Sequence, residues 1–214
     1  MRGLALAGVA IAIHGRSLVP PLDLEVAPSE VVTVMGASGA GKSTLLAYIG
    51  GFLDPVFTAT GRIYVDGREV TRLAAERRGI GILFQDDLLF PHLSVGGNLA
   101  FGLAPHLRGR AARRRAIEAA LAKAGLAGFA ARDPATLSGG QRARVALLRT
   151  LLAEPRALLL DEPFAKLDTA LRRDVRSFVF THARERALPT LLVTHDAADA
   201  EAAGGRVVTL AGGA

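Results

Sequence analysis

The sequence predicts an α/β protein: a mostly parallel sheet covered by helices, with antiparallel strands at its N-terminal end and an inserted helical subdomain. Three observations carry this. Residues 31–35, 79–84, 157–160, 190–194 and 206–210 are strand-like runs, several apolar on both faces, as in a sheet covered on both sides. The first run leads straight into a glycine-rich loop and then a helix. Between Gln85 and Leu152, helical segments rich in Ala, Leu and Arg are punctuated by Pro91, Pro105 and Pro134, with no convincing strand.

In chain order, Leu4 and Leu6, then Val9, Ile11 and Ile13, alternate with small residues and change phase at Gly8. That pattern is a strand with a bulge. The stretch is too short for a bilayer, which needs about 20 apolar residues, and no small-residue cleavage site follows it. The chain is therefore expected to reach a membrane only through a partner. Val31 to Met35 is the strand ahead of the glycine loop, and Thr44 to Ile49 the helix after it, stopped at Gly50-Gly51. Residues 1–84 and 153–214 are expected to form the core and 85–152 the helical subdomain, within one domain of 1–214. The last strand-like run lies close to the end of the sequence, so no C-terminal regulatory domain is expected.

Composition narrows the chemistry. The 214 residues are half hydrophobic with few aromatics, enough for a core of Leu, Val, Ile and Ala. No cysteine is present, which excludes disulfides and thiolate metal sites. The net charge of +6 is arginine-borne, the only lysines being Lys42, Lys123 and Lys166. Guanidinium suits phosphate and anionic surfaces, but sparse aromatics and the lack of a recognition helix or zinc pattern argue against nucleic acid.

The run Gly36-Ala37-Ser38-Gly39-Ala40-Gly41-Lys42-Ser43, with Thr44 opening the helix, is a phosphate-binding loop. Its glycines let backbone N–H groups approach phosphates closely, and the helix adds its positive N-terminus. Lys42 supplies a point charge to the β- and γ-oxygens, and the Ser43 hydroxyl is a Mg²⁺ ligand. A chance Lys-Ser after a glycine turn is disfavoured by the flanking strand and helix. Asp161 ends the apolar run 158–160, where Mg²⁺-linked water can be held, and Glu162 follows as the natural general base. Read alone, Asp161-Glu162-Pro163 would serve equally as a helix N-cap. Ser138-Gly139-Gly140-Gln141 reads as a second anion-binding turn, or as an ordinary helix start capped by Ser138 with Val145, Leu148 and Leu152 on its buried face.

Taken together, the phosphate loop, Leu137-Ser138-Gly139-Gly140-Gln141 and Leu158-Leu159-Leu160-Asp161-Glu162 resemble the nucleotide-binding subunit of ABC transporters over nearly the whole chain. The resemblance implies a P-loop NTPase fold with a RecA-like core, ATP and Mg²⁺ as cofactors, and ATP hydrolysis. It also implies that Ser138, Gly139, Gly140 and Gln141 complete the γ-phosphate site of a second copy, giving a head-to-tail homodimer. By the same resemblance, Gln85 meets the metal or attacking water, His195 contacts the γ-phosphate, and Asp168 couples the two sites. His14 falls near the family's adenine-stacking aromatic. Phe84 to Val95 and Asn98 to Leu103 are similar to importer ATPases, closest to the small thiamine type. That similarity implies two integral-membrane permease subunits or one fused permease, a substrate-binding protein, and a peripheral position on the cytoplasmic face of the bacterial inner membrane.

Three positions depart from the pattern: Lys166, where a small residue is commoner, Ser29-Glu30 in place of Gly-Glu, and His14 in place of a larger aromatic ring. Arg108, Arg110, Arg113, Arg114 and Arg115 precede a helical run and read as a solvated face, or as a contact for anionic headgroups or an acidic partner. The competing function is a soluble ABC ATPase in cofactor assembly or cell division. A small-molecule kinase would leave Leu137 to Gln141 unexplained.

Overall fold

The structure, a computed structural model, describes residues 2–210. They form two compact units: residues up to Ile82 with Arg156–Glu162 and those from Phe180 onward, and Leu83–Pro155 with Pro163–Val179. Residues 163–179, assigned to the core by sequence, group with the second unit because Leu167 and Leu171 stand against Gly139 and Gly140.

The first unit contains two sheets. Strands β1 (Leu4–Ile13), β2 (Arg16–Val26), β4 (Phe57–Val65) and β5 (Arg68–Glu69) form an antiparallel sheet in the order β2-β1-β4-β5. His14 and Gly15 join β1 to β2 with φ of 49° and 78°, the paired positive torsions of a two-residue type I′ turn. The expected bulge is present: pairing of β1 with β4 slips between Ala7 and Ala10, where Gly61 faces the Gly8 carbonyl.

The second sheet is built of β6 (Ile80–Leu83), β7 (Ala157–Asp161), β8 (Thr190–Val193), β3 (Val31–Met35) and β9 (Val207–Thr209), in that spatial order. Val31 and Leu158 both pair with Thr190 in parallel register. Residues 31–34, 157–160 and 190–193 are buried, which is why these runs lack polar alternation. Helix α1 (Lys42–Gly50) sets Leu45, Leu46 and Ile49 into one core with Val32, Val34, Leu159, Leu191 and Val193. Each fully buried aliphatic side chain there contributes about 1.5–3 kcal/mol.

The second unit contains α2 (Val95–Phe101), α3 (Arg110–Lys123) and α4 (Gly139–Leu152), with a core including Val95, Leu99, Ile117, Leu121, Val145 and Leu148. The helix α5 (Thr169–Glu185) begins here, and α6 (Ala197–Ala203) belongs to the first unit. Of the arginine cluster, Arg110, Arg113, Arg114 and Arg115 lie within the first turns of α3, while Arg108 precedes it, since Gly109 takes the N-cap position. Arg113 is folded back onto the Ala100 carbonyl at 2.7 Å. Among the described residues, no helix is long and apolar enough to cross a membrane.

Candidate phosphate-binding and hydrolytic site

Parallel strands end at one edge of the sheet, and the loops after β3, β7 and β8 meet there because those strands are neighbours. The loop after β3 closes with Gly41 as N-cap of α1 at φ 83°, with no side chain bonding the first helical turn. An added Cβ at Gly41 would stand 2.7 Å from Val19 Cγ2 and 2.9 Å from Leu18 Cγ, so torsion and space both require glycine. Uncapped N–H groups in that turn suit an anion.

Lys42 is 7% exposed, and its ammonium donates to the Gly36 and Ala37 carbonyls, both at 2.9 Å. These bonds crown the loop and hold the charge at its centre. Ser43 Oγ donates to Asp161 Oδ1 at 3.0 Å, which brings together two of the three residues expected at Mg²⁺, Gln85 being the third. Burial pushes the Asp161 carboxyl above its usual range; the Ser43 hydrogen bond opposes this, Glu162 adds to it, and Lys42 opposes it.

Glu162 has φ 46°, an uncommon torsion for a side-chain-bearing residue. Its N–H donates to the Val193 carbonyl at 2.9 Å, tying it to the end of β8. His195 Nδ1 lies 3.0 Å from Glu162 Oε1. Behind His195, the buried Thr194 hydroxyl donates to Asp199 at 3.2 Å and accepts from the Asp196 N–H at 3.1 Å. Asp196 caps α6 through the Ala198 N–H. Thr194 and Asp199, which shape the turn presenting His195, were not singled out in the sequence; the only signal is a polar cap before an Ala-rich helix. The N-cap alternative for Asp161-Glu162-Pro163 does not hold, because α5 begins only at Thr169.

Gly36 to Ser38, Gly39, Gly41 to Thr44, Glu162 and His195 line one cleft of about 570 Å³, within the range of small-ligand sites. His14 is exposed on the β1–β2 turn and is not among the residues lining this cleft. Ser43 and Asp161 are hard oxygen donors, and no cluster of three or more His, Cys, Asp or Glu able to hold a metal occurs among the described residues. A donor set of one or two protein oxygens fits Mg²⁺, which completes its shell with phosphate and water.

The remaining expected residues lie in the second unit. Ser138 is exposed and caps α4 in a full capping box: its Oγ accepts from the Gln141 N–H at 3.3 Å, while Gln141 Oε1 accepts from the Ser138 N–H at 3.0 Å. The cap uses the hydroxyl as acceptor and leaves its O–H to donate elsewhere. Gln85 is exposed two residues beyond β6, and Asp168 starts α5 by accepting from the Leu171 N–H at 3.0 Å.

A glycine-lined anion cradle at the carboxyl edge of a parallel sheet, with a paired hydroxyl and carboxylate at a neighbouring strand end, defines a P-loop nucleoside triphosphatase. Residues 19–165 match the ABC transporter family, and the chain belongs to it as an ATP-binding subunit that hydrolyses ATP. Among its relatives is the uncharacterized ABC transporter ATP-binding protein YnjD of Escherichia coli (strain K12), 48% identical over 93% of this chain and 91% of that protein. The thiamine import ATP-binding protein ThiQ of Rhizobium meliloti (strain 1021) is 42% identical, covering 97% of this chain and 85% of ThiQ. The putative 2-aminoethylphosphonate import ATP-binding protein PhnT of Salmonella typhimurium is 40% identical over 92% of this chain and 53% of its own length. Among solved structures, the dimeric ATP-binding cassette MJ0796, in a post-hydrolysis state bound to ADP and Pi, superposes with TM-score 0.80 and 29% identity, covering 97% of this chain and 94% of that one.

Proposed function

We propose that this ATPase powers an importer as a head-to-tail homodimer: each ATP is held by Gly36 to Thr44 of one copy and by Ser138, Gly139, Gly140 and Gln141 of the other. The observation that carries the reading is the cleft in which the lysine-crowned loop, the Ser43 hydroxyl that bonds Asp161, and the Glu162–His195 pair converge. Glu162 takes the proton of the attacking water, and His195, on the far side of that carboxylate, steadies it and meets the γ-phosphate. Lys42 exchanges its two loop carbonyls for phosphate oxygens. Ser43 and Asp161 would hold Mg²⁺, which would neutralise charge on the β- and γ-phosphates.

His14 offers its ring to the adenine, Gln85 relays nucleotide state to the second unit, and Asp168 carries it towards the partner copy. We take residues 85–152 as a helical subdomain inserted in a single cassette. The relatives named for import favour a permease of two subunits or one fused chain, a substrate-binding protein, and a peripheral place on the cytoplasmic face of the bacterial inner membrane. Glu162→Gln is expected to keep nucleotide affinity while hydrolysis falls about 10²–10⁴-fold. Hydrolysis near the wild-type rate would remove Glu162 from the base role.

A further inference from the structure

The segment after Gln85 is anchored by charge at three points within the second unit. Asp87 faces Arg142, with Nε 3.3 Å from Oδ2. The same guanidinium donates to the Leu137 carbonyl at 2.7 Å, one residue before Ser138. Two turns along α4, Arg149 donates to the Leu88 and Asp87 carbonyls at 2.7 and 3.2 Å and lies over the Phe90 ring. Asp86 pairs with Lys166, two residues before Asp168 and one of the positions where the sequence departs from its family. None of these groups belongs to the phosphate loop or to the Asp161, Glu162 and His195 set.

We propose that Asp86 and Asp87 are positioning residues which, through Lys166 and Arg142, hold the Gln85 segment, the Ser138 turn and the 163–168 loop as one body. This rests on the reading of Ser138 as a ligand to the partner's nucleotide. Arg142 is the joint, since one guanidinium bonds both the backbone entering the Ser138 turn and the carboxylate two residues after Gln85. The Asp87 side chain is only 28% exposed and that of Arg142 41%, so removing either charge leaves the other partly desolvated. Asp86 and Lys166 are 64% and 57% exposed, and such a pair contributes little to folding. Its effect is on which loops move together, not on whether the chain folds.

The test is steady-state hydrolysis and nucleotide binding by the full chain carrying Asp86→Lys, Lys166→Asp, both exchanges together, or Asp87→Asn. Each single exchange is expected to lower kcat about two- to fivefold with KM unchanged, and the double exchange to restore it. Asp87→Asn is expected to lower kcat about tenfold, again without change in KM. Wild-type kcat in both single exchanges, or a loss that the double exchange leaves unrepaired, overturns the inference. The exposed pair keeps the test sharp even if Asp87→Asn fails to fold. Failure of Glu162→Gln protein to dimerise with ATP would strike the underlying reading instead; normal dimerisation with silent exchanges strikes this inference alone.

Discussion

At the residue scale, the site stores unfavourable states where chemistry needs them. Glu162 is held at a positive φ by its bond to Val193, and Asp161 is a carboxyl raised by burial beside a second carboxylate. A raised folded-state pKa means that the native chain binds this proton more tightly than the unfolded chain. Stability therefore falls as pH rises from the ordinary carboxylate range through the raised value, and stays lowered above it. Asp161→Asn, which still accepts from Ser43, should remove that dependence. Thermal melts are expected to give the variant a higher Tm than wild type at neutral pH, with the gap closing in acid, while hydrolysis is lost. A gap that widens on acidification would contradict the burial account of Asp161.

At the element scale, the two glycines that open α4 differ. A Cβ at Gly140 would lie 2.3 Å from Leu171 Cδ1 and 2.7 Å from its Cγ, whereas one at Gly139 meets Leu167 Cδ2 at an ordinary 3.6 Å. Gly140→Ala should thus cost about 1–3 kcal/mol through overpacking, and Gly139→Ala should leave the unfolding midpoint nearly unchanged. Denaturant titration of both variants separates packing from ligand contact; equal losses would refute the assignment.

How far elements were legible follows from similar local physics. The parallel strands could be read because apolar runs have few other uses, and α1 because the loop fixes its start. The strand β2 is not legible in the sequence because Pro20 and Pro21 speak against a strand. They are tolerated on this sheet edge, where pairing with β1 slips between Val9↔Leu22 and Ile11↔Val19. Gly61 likewise masked β4, since its place opposite Gly8 exists only once the two strands are paired. In the site, Lys42, Ser43, Asp161 and Glu162 were legible from adjacent residues. The Thr194–Asp199 bond and the Arg142 joint were not: the first lies in ordinary-looking residues, and the second links positions 55 residues apart.

At the scale of the whole molecule, the chemistry is divided between two units with separate cores. The first carries the phosphate loop, the Ser43 and Asp161 oxygens, Glu162 and His195; the second carries Gln85, the Ser138 turn and Asp168. Ser138 is exposed, its cap already satisfied and its O–H free to donate. Those features suit a residue that serves another copy's nucleotide, so the account turns on association driven by ATP. Light scattering of the Glu162→Gln chain tests this directly. With ATP and Mg²⁺ the mass should double, and adding Ser138→Arg should return it to a single chain. A mass that stays at one chain with ATP bound, or a doubled mass that persists with Ser138→Arg, would contradict the account.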